Sequence, residues 1–146
     1  MISYLETSFL VSLYAPDANS MAAAAYIVKA AGPFPLTPFG EAELNNAIEL
    51  RVFRHEVTAG QAKAALAKLA SHIAGGTFFV APMTPAMYHT AQSLSRKHTA
   101  ALGTRTLDIL HVASALVLEA ESFYTFDRRQ AEVVRASGMK TPMRIP

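Results

Sequence analysis

The chain has 146 residues, 51% of them hydrophobic and 16% charged, with 13 Lys and Arg against 11 Asp and Glu for a net charge of +2. That length predicts one domain over residues 1–146, and the apolar fraction is ample for a packed core, which excludes intrinsic disorder as the main state. Cysteine is absent, excluding disulfides, thiolate zinc sites and a cysteine nucleophile; the small positive charge permits a polyanionic partner without demanding one.

Along the chain, apolar runs and helical periodicity alternate. Residues 2–6 predict a strand and 7–15 a helix, with a break at Pro16-Asp17. The N-terminus lacks a basic stretch and Glu6 interrupts its first apolar run, so no signal peptide is expected. Asn19 or Ser20 opens an alanine-rich helix to about Ala31, stopped by Gly32-Pro33. A short strand is expected at 34–37. A helix follows over 41–54, with Leu44, Ile48 and Val52 at i, i+4, i+8. Thr58 caps the next helix, which runs to Gly75-Gly76.

Residues 77–80 predict a strand by β-propensity. Thr84 and Pro85 then supply an N-cap and an N1 proline for a helix to about His98. Gly103 punctuates the chain, 106–120 predicts a helix, 122–126 a strand, and 127–137 a helix ended by Gly138 at C′. A last extended piece is expected at 143–145. The longest uncharged run, between Lys68 and Arg96, is broken by Gly75-Gly76, Pro82 and Pro85, so it is not a membrane span. The expectation is a soluble cytoplasmic α/β protein, with a short parallel sheet flanked by helices.

The carboxylates are the chemically informative residues. The helix over 106–120 is apolar on every side after its first turn, yet carries Asp108 in that turn. Taken singly, Asp108 reads as an acid that complements the helix dipole. Asp127, with Gln130 three residues on, reads as a helix cap. Glu6 is harder to dismiss, since it ends the first strand. Glu43 lies at the edge of its helix's apolar arc, where a carboxylate needs a partner or a cation. Glu41 is its rival, and reads as a solvated first-turn acid. In a parallel α/β sheet the carboxyl ends of the strands meet at one crevice. Four carboxylates gathered there would repel one another unless a cation sits among them. Oxygen-only ligand sets select hard divalent ions, Mg²⁺ or Mn²⁺, and the default chemistry beside a phosphate is phosphodiester hydrolysis.

Four blocks of sequence resemble one family: Tyr4-Leu5-Glu6-Thr7-Ser8, Glu43 within Ala42-Glu43-Leu44-Asn45-Asn46-Ala47, the run from Arg105 through Asp108 and His111 to Ala115, and Thr125-Phe126-Asp127-Arg128-Arg129-Gln130. Their order and spacing are similar to those of PIN-domain ribonucleases, in particular the VapC toxins of bacterial toxin–antitoxin pairs. The resemblance spans essentially the whole chain, and its third and fourth blocks are the specific ones. It implies a PIN-like fold of four to five parallel strands flanked by helices. It also implies an acidic, metal-binding and catalytic site from Glu6, Glu43, Asp108 and Asp127, assisted by a hydroxyl of Thr7 or Ser8. The implied activity is Mg²⁺- or Mn²⁺-dependent cleavage of a tRNA or ribosomal RNA loop, leaving a 5′-phosphate. The implied partners are the RNA and a cognate VapB-like antitoxin; a homodimer is expected besides.

One departure from the family matters: Asp is usual where this chain has Glu6. The extra methylene moves the carboxylate by about 1.5 Å, one C–C bond, which is large against Mg²⁺–oxygen distances of about 2.0–2.1 Å. The alternatives are a catalytically impaired module that binds antitoxin or RNA, and a housekeeping RNA-processing nuclease.

Arg105, Arg128 and Arg129 flank two of the acids and are the expected RNA-binding residues, with a solvated helix start as the competing explanation. Arg51 and Arg54 are weaker candidates, Arg54 as an ion-pair partner of a neighbouring acid. Arg96-Lys97 reads as dipole complement. His111 is expected to be buried and hydrogen-bonded rather than a general base. His55, His72, His89 and His98 lack ligand spacing. Tyr4, Phe78, Phe79 and Phe123 are expected in the strand core. The helices over 21–31 and 62–74 have small, flat faces suited to a second subunit, an antitoxin helix or simply the sheet. No Walker loop, G-x-G-x-x-G turn or G-x-S-x-G elbow is present.

Overall fold

The computed structural model describes residues 1–143. Strand β1 (Ser3–Leu5) leads into helices α1 (Thr7–Tyr14) and α2 (Ser20–Ile27); strand β2 (Phe34–Leu36) into α3 (Pro38–Phe53) and α4 (Ala59–Ala74). Strand β3 (Phe78–Val80) precedes α5 (Pro85–Leu94), a π-helical turn (Ser95–Thr99) and α6 (Ala100–Leu102). Helix α7 (Thr106–Val117), strand β4 (Ser122–Tyr124) and helix α8 (Arg128–Ala136) complete the order. No helix among the described residues is long and apolar enough to cross a membrane.

All the ladders are parallel. Ser3 to Leu5 pair with Ser122 to Tyr124, and Phe34 to Leu36 with Phe78 to Val80. β1 also lies beside β2, so the two pairs sit next to one another. Alternation along a strand sends successive side chains to opposite faces. Leu5 and Tyr124 join Phe9, Leu10, Leu44, Ile48 and Leu69 in one core cluster; Tyr4 and Phe123 join Ile109, Val112, Val133 and Val134 in the other. Full burial of each such side chain contributes about 1.5–3 kcal/mol. Helices therefore cover both faces, as the apolar strands predict.

The differences from the sequence expectation lie at element ends. α2 stops at Ile27, because alanines alone give it no face to bury: of its residues only Ala23 is buried. α3 starts three residues earlier than expected, since Thr37 accepts a bond from Gly40 N and Pro38 fills N1. α7 ends at Val117, with Glu119 rather than a glycine taking the left-handed conformation just beyond (φ 58°). Thr58 and Gln61 form a full capping box. Thr84 occupies the cap position of α5 but makes no capping bond, and its hydroxyl is buried without a partner among the described residues. Phe79, expected in the core, is 39% exposed. The extended piece expected at 143–145 runs into residues outside those described.

Candidate active site

Parallel pairing in register decides where the site forms. Since Leu5 lies opposite Tyr124, the next residues on each chain, Glu6 and Thr125, emerge side by side, and Glu6 N donates to Tyr124 O at 3.1 Å. Glu6 is the N-cap of α1. Its Oε2 accepts Ser8 N at 3.0 Å, Ser8 Oγ at 2.6 Å and Thr125 Oγ1 at 3.0 Å. The longer glutamate arm thus bends back onto its own helix. Burial raises the Glu6 carboxyl above its ordinary range; the neighbouring His111 ring and then these donors offset the rise only in part.

Glu43 reaches the same place from α3. Its Oε1 accepts the Thr7 hydroxyl and lies 2.7 Å from His111 Nε2. The opposite ring nitrogen of His111, Nδ1, is 2.8 Å from the Tyr4 hydroxyl. Burial pushes the Glu43 carboxyl up, but the bonds from His111 and Thr7 outweigh it and leave the group below its usual value.

Asp108 and Asp127 form the outer part. With Glu43, Arg105, Thr106 and Leu107 they line a cleft of about 440 Å³. Asp108 is raised first by burial and then by the charge of Asp127, with a smaller push from Glu43; the Arg105 N–H and guanidinium oppose this. Asp127 caps α8 by accepting Gln130 N at 2.9 Å. The Gln130 side chain does not return to Asp127 as a capping box would. It is fully buried, its Oε1 lies 2.7 Å from Thr125 Oγ1 and shares that hydroxyl's single proton with Glu6, and its Nε2 donates to the Asp108 carbonyl at 3.1 Å. Thr125 and Gln130 thereby join the strand end carrying Glu6 to the helix carrying Asp108, a linkage no spacing in the sequence announces.

The four acids named from sequence therefore share one region, in two tiers bridged by Glu43. The atoms that crowd most closely are a Glu6 oxygen, a Glu43 oxygen and a His111 nitrogen, all within 4.8 Å of one another. The two carboxylates, with like-charged Asp108 and Asp127 alongside, fit a hard divalent cation such as Mg²⁺ or Mn²⁺, and the imidazole nitrogen beside them lies against Glu43 Oε1. Arg105, Arg128 and Arg129 ring an adjoining hollow of about 430 Å³ that also includes Asp108 and Asp127. Arg129 packs at Gly103, whose left-handed turn (φ 66°) a side chain would strain. Arg51 instead pairs with Asp17 and Glu56, so the ion pair expected of Arg54 falls to its neighbour and serves the fold.

The PIN domain family model matches residues 3–136. The chain belongs to the PIN-domain family. Among solved structures, the fold is similar to that of VapC20 of Mycobacterium tuberculosis, a toxin that cleaves the sarcin-ricin loop: the TM-score is 0.69, over 94% of this chain and 96% of that one, at 18% sequence identity. Among curated protein sequences nothing matches.

Proposed function

We propose that this protein is a metal-dependent endoribonuclease, the toxin of a type II toxin–antitoxin pair, acting in the cytoplasm on a structured tRNA or ribosomal RNA loop. The observation that carries this reading is the cleft where Glu43, Asp108 and Asp127 converge beside Arg105, with Glu6 and His111 behind them. Family membership supports nuclease chemistry, and the likeness to a ribosomal RNA-cleaving toxin supports the choice of substrate.

In this reading Glu6, Glu43, Asp108 and Asp127 hold Mg²⁺ or Mn²⁺. When bound, the ion supplies charge stabilisation at the scissile phosphate and makes a nearby water more acidic. The chain's own residues do the rest. Arg105, Arg128 and Arg129 take the flanking phosphates. The Thr7 hydroxyl holds Glu43, and Ser8 holds Glu6. Without its cation the cleft is acidic and repels RNA. A VapB-like antitoxin segment covering the arginines and acids would silence it. A homodimer is part of the proposal, supported by Met21 and Val28 standing exposed at the two ends of α2.

Purified protein with Mn²⁺ is expected to cut structured RNA to products with 5′-phosphates, and a chelator to abolish cutting. Cleavage indifferent to chelation contradicts the proposal. One observation favours the second reading, an impaired binding module: Oε2 of Glu6 is saturated by its helix cap. Glu6→Asp separates the two. The active enzyme predicts altered metal preference at most, whereas the impaired module predicts a large gain of cleavage.

A further inference from the structure

We propose that His111 is a positioning residue for Glu43, and that the Tyr4 hydroxyl decides which ring nitrogen does the positioning. This rests on the nuclease reading above and deepens it.

The ring of His111 is 2% exposed and held on several sides. Tyr4 meets it edge-on at 5.8 Å between centroids, and Phe39 lies at 4.5 Å. On the α3 side the neighbour is Gly40, where a Cβ would come within 3.5 Å of His111 Cε1 and 2.9 Å of Thr37 Oγ1. A ring so enclosed keeps one orientation, and both nitrogens are spoken for. The Glu43 carboxylate beside Nε2 calls for a hydrogen on that nitrogen, which leaves Nδ1 of the singly protonated ring as the acceptor of the Tyr4 hydroxyl. In that tautomer the ring carries its hydrogen on Nε2, which faces Glu43 Oε1 at 2.7 Å. The opposite tautomer would set an imidazole lone pair against a carboxylate at hydrogen-bond distance, a repulsive contact.

Thr7 donates to that same oxygen, so Oε1 of Glu43 holds two donors. Oε2 accepts none among the described residues and is left for the cleft. The relay runs through three elements: Tyr4 on β1, two residues before Glu6; His111 on α7, three residues after Asp108; and Glu43 on α3. β1 leads directly into Glu6, while α7 and α3 carry Asp108 and Glu43, and His111 fixes these elements relative to one another. Its Nε2–H is committed, so the residue acts through Glu43 rather than as a ligand or base.

The test uses the full chain with ¹⁵N-labelled histidine. Imidazole ¹H–¹⁵N spectra of the wild type are expected to show His111 as the Nε2–H tautomer, and those of Tyr4→Phe to show loss of that preference. Tyr4→Phe keeps the ring that stacks on Phe123 (5.2 Å) and so preserves the core. Its Mn²⁺ affinity, read by calorimetry, and its kcat are expected to fall by about 10–100-fold, with KM for RNA little changed. His111→Gln, whose amide N–H can stand in for Nε2–H, should retain more Mn²⁺ affinity than His111→Ala. An Nδ1–H tautomer in the wild type overturns the proposal. So does an electron–nuclear coupling from Mn²⁺ directly to a His111 nitrogen, or unchanged Mn²⁺ affinity in Tyr4→Phe. Absence of RNA cleavage by the wild type contradicts the nuclease reading alone, since tautomer and metal affinity are read without it.

Discussion

Burial and neighbouring charge act on the cleft carboxylates in different proportions. Glu6 is raised chiefly by burial, Asp108 by burial and then by Asp127, while Glu43 is lowered because His111 and Thr7 overcome its burial. For Asp108 the consequence has a definite sign. A carboxyl raised in the folded state weakens folding once the pH climbs above its unfolded value and through its folded one. Asp108→Asn should therefore melt higher than wild type at pH 7 without metal, and the gap should close below about pH 3.8, the ordinary aspartate value. Adding Mn²⁺ should reverse the order by stabilising the wild type more. Thermal scans at both pH values, with and without Mn²⁺, check this. What sequence reveals at this scale is the identity of the acids, since Glu6, Glu43, Asp108 and Asp127 do share a region. It does not reveal that Glu6 would turn back to cap α1. That depends on Ser8 and Thr125 arriving together from residues 117 apart.

Among the elements, α3 is the one whose packing controls the site most directly. Thr37 caps it, Pro38 starts it, and Gly40 lets it approach the His111 ring. Gly40→Ala places a methyl 2.9 Å from Thr37 Oγ1, closer than a Cβ can stand. The variant is expected to lose about 1 kcal/mol through the disturbed cap, lowering Tm by a few degrees. Its cleavage should fall further than that modest instability explains, because Glu43 and His111 move with the helix. Comparing Tm with kcat at a temperature well below melting separates the two effects. Periodicity and caps made most elements legible, including the Thr58 cap and the Asp127 start. Misplaced ends have local causes: an exposed alanine run that does not prolong α2, and a left-handed Glu119 where a glycine would have signalled the end of α7. The π-helical turn at Ser95–Thr99 adds a residue to a helical turn with no composition to mark it.

Across the whole molecule, parallel strand pairing does the gathering. Residues 6 and 127 leave adjacent strand ends, and α3 and α7 bring residues 43 and 108 to the same edge. That convergence was inferable from strand–helix alternation, because parallel sheets open their crevice at the carboxyl ends. The division into a deep tier of Glu6, Glu43 and His111 and an outer tier of Asp108 and Asp127 was not. It follows from side-chain reach and from hydrogen bonds spanning more than a hundred residues. The central claim is that these acids act together through a divalent ion on RNA. The most direct measurement is Mn²⁺-dependent cleavage of a structured RNA by the wild type and by Asp108→Asn, each shown to be folded. The account predicts cleavage by the wild type and a loss of at least about 100-fold in the variant, on the scale of removing one electrostatic contact to a transition state. Equal cleavage by the two proteins would contradict it.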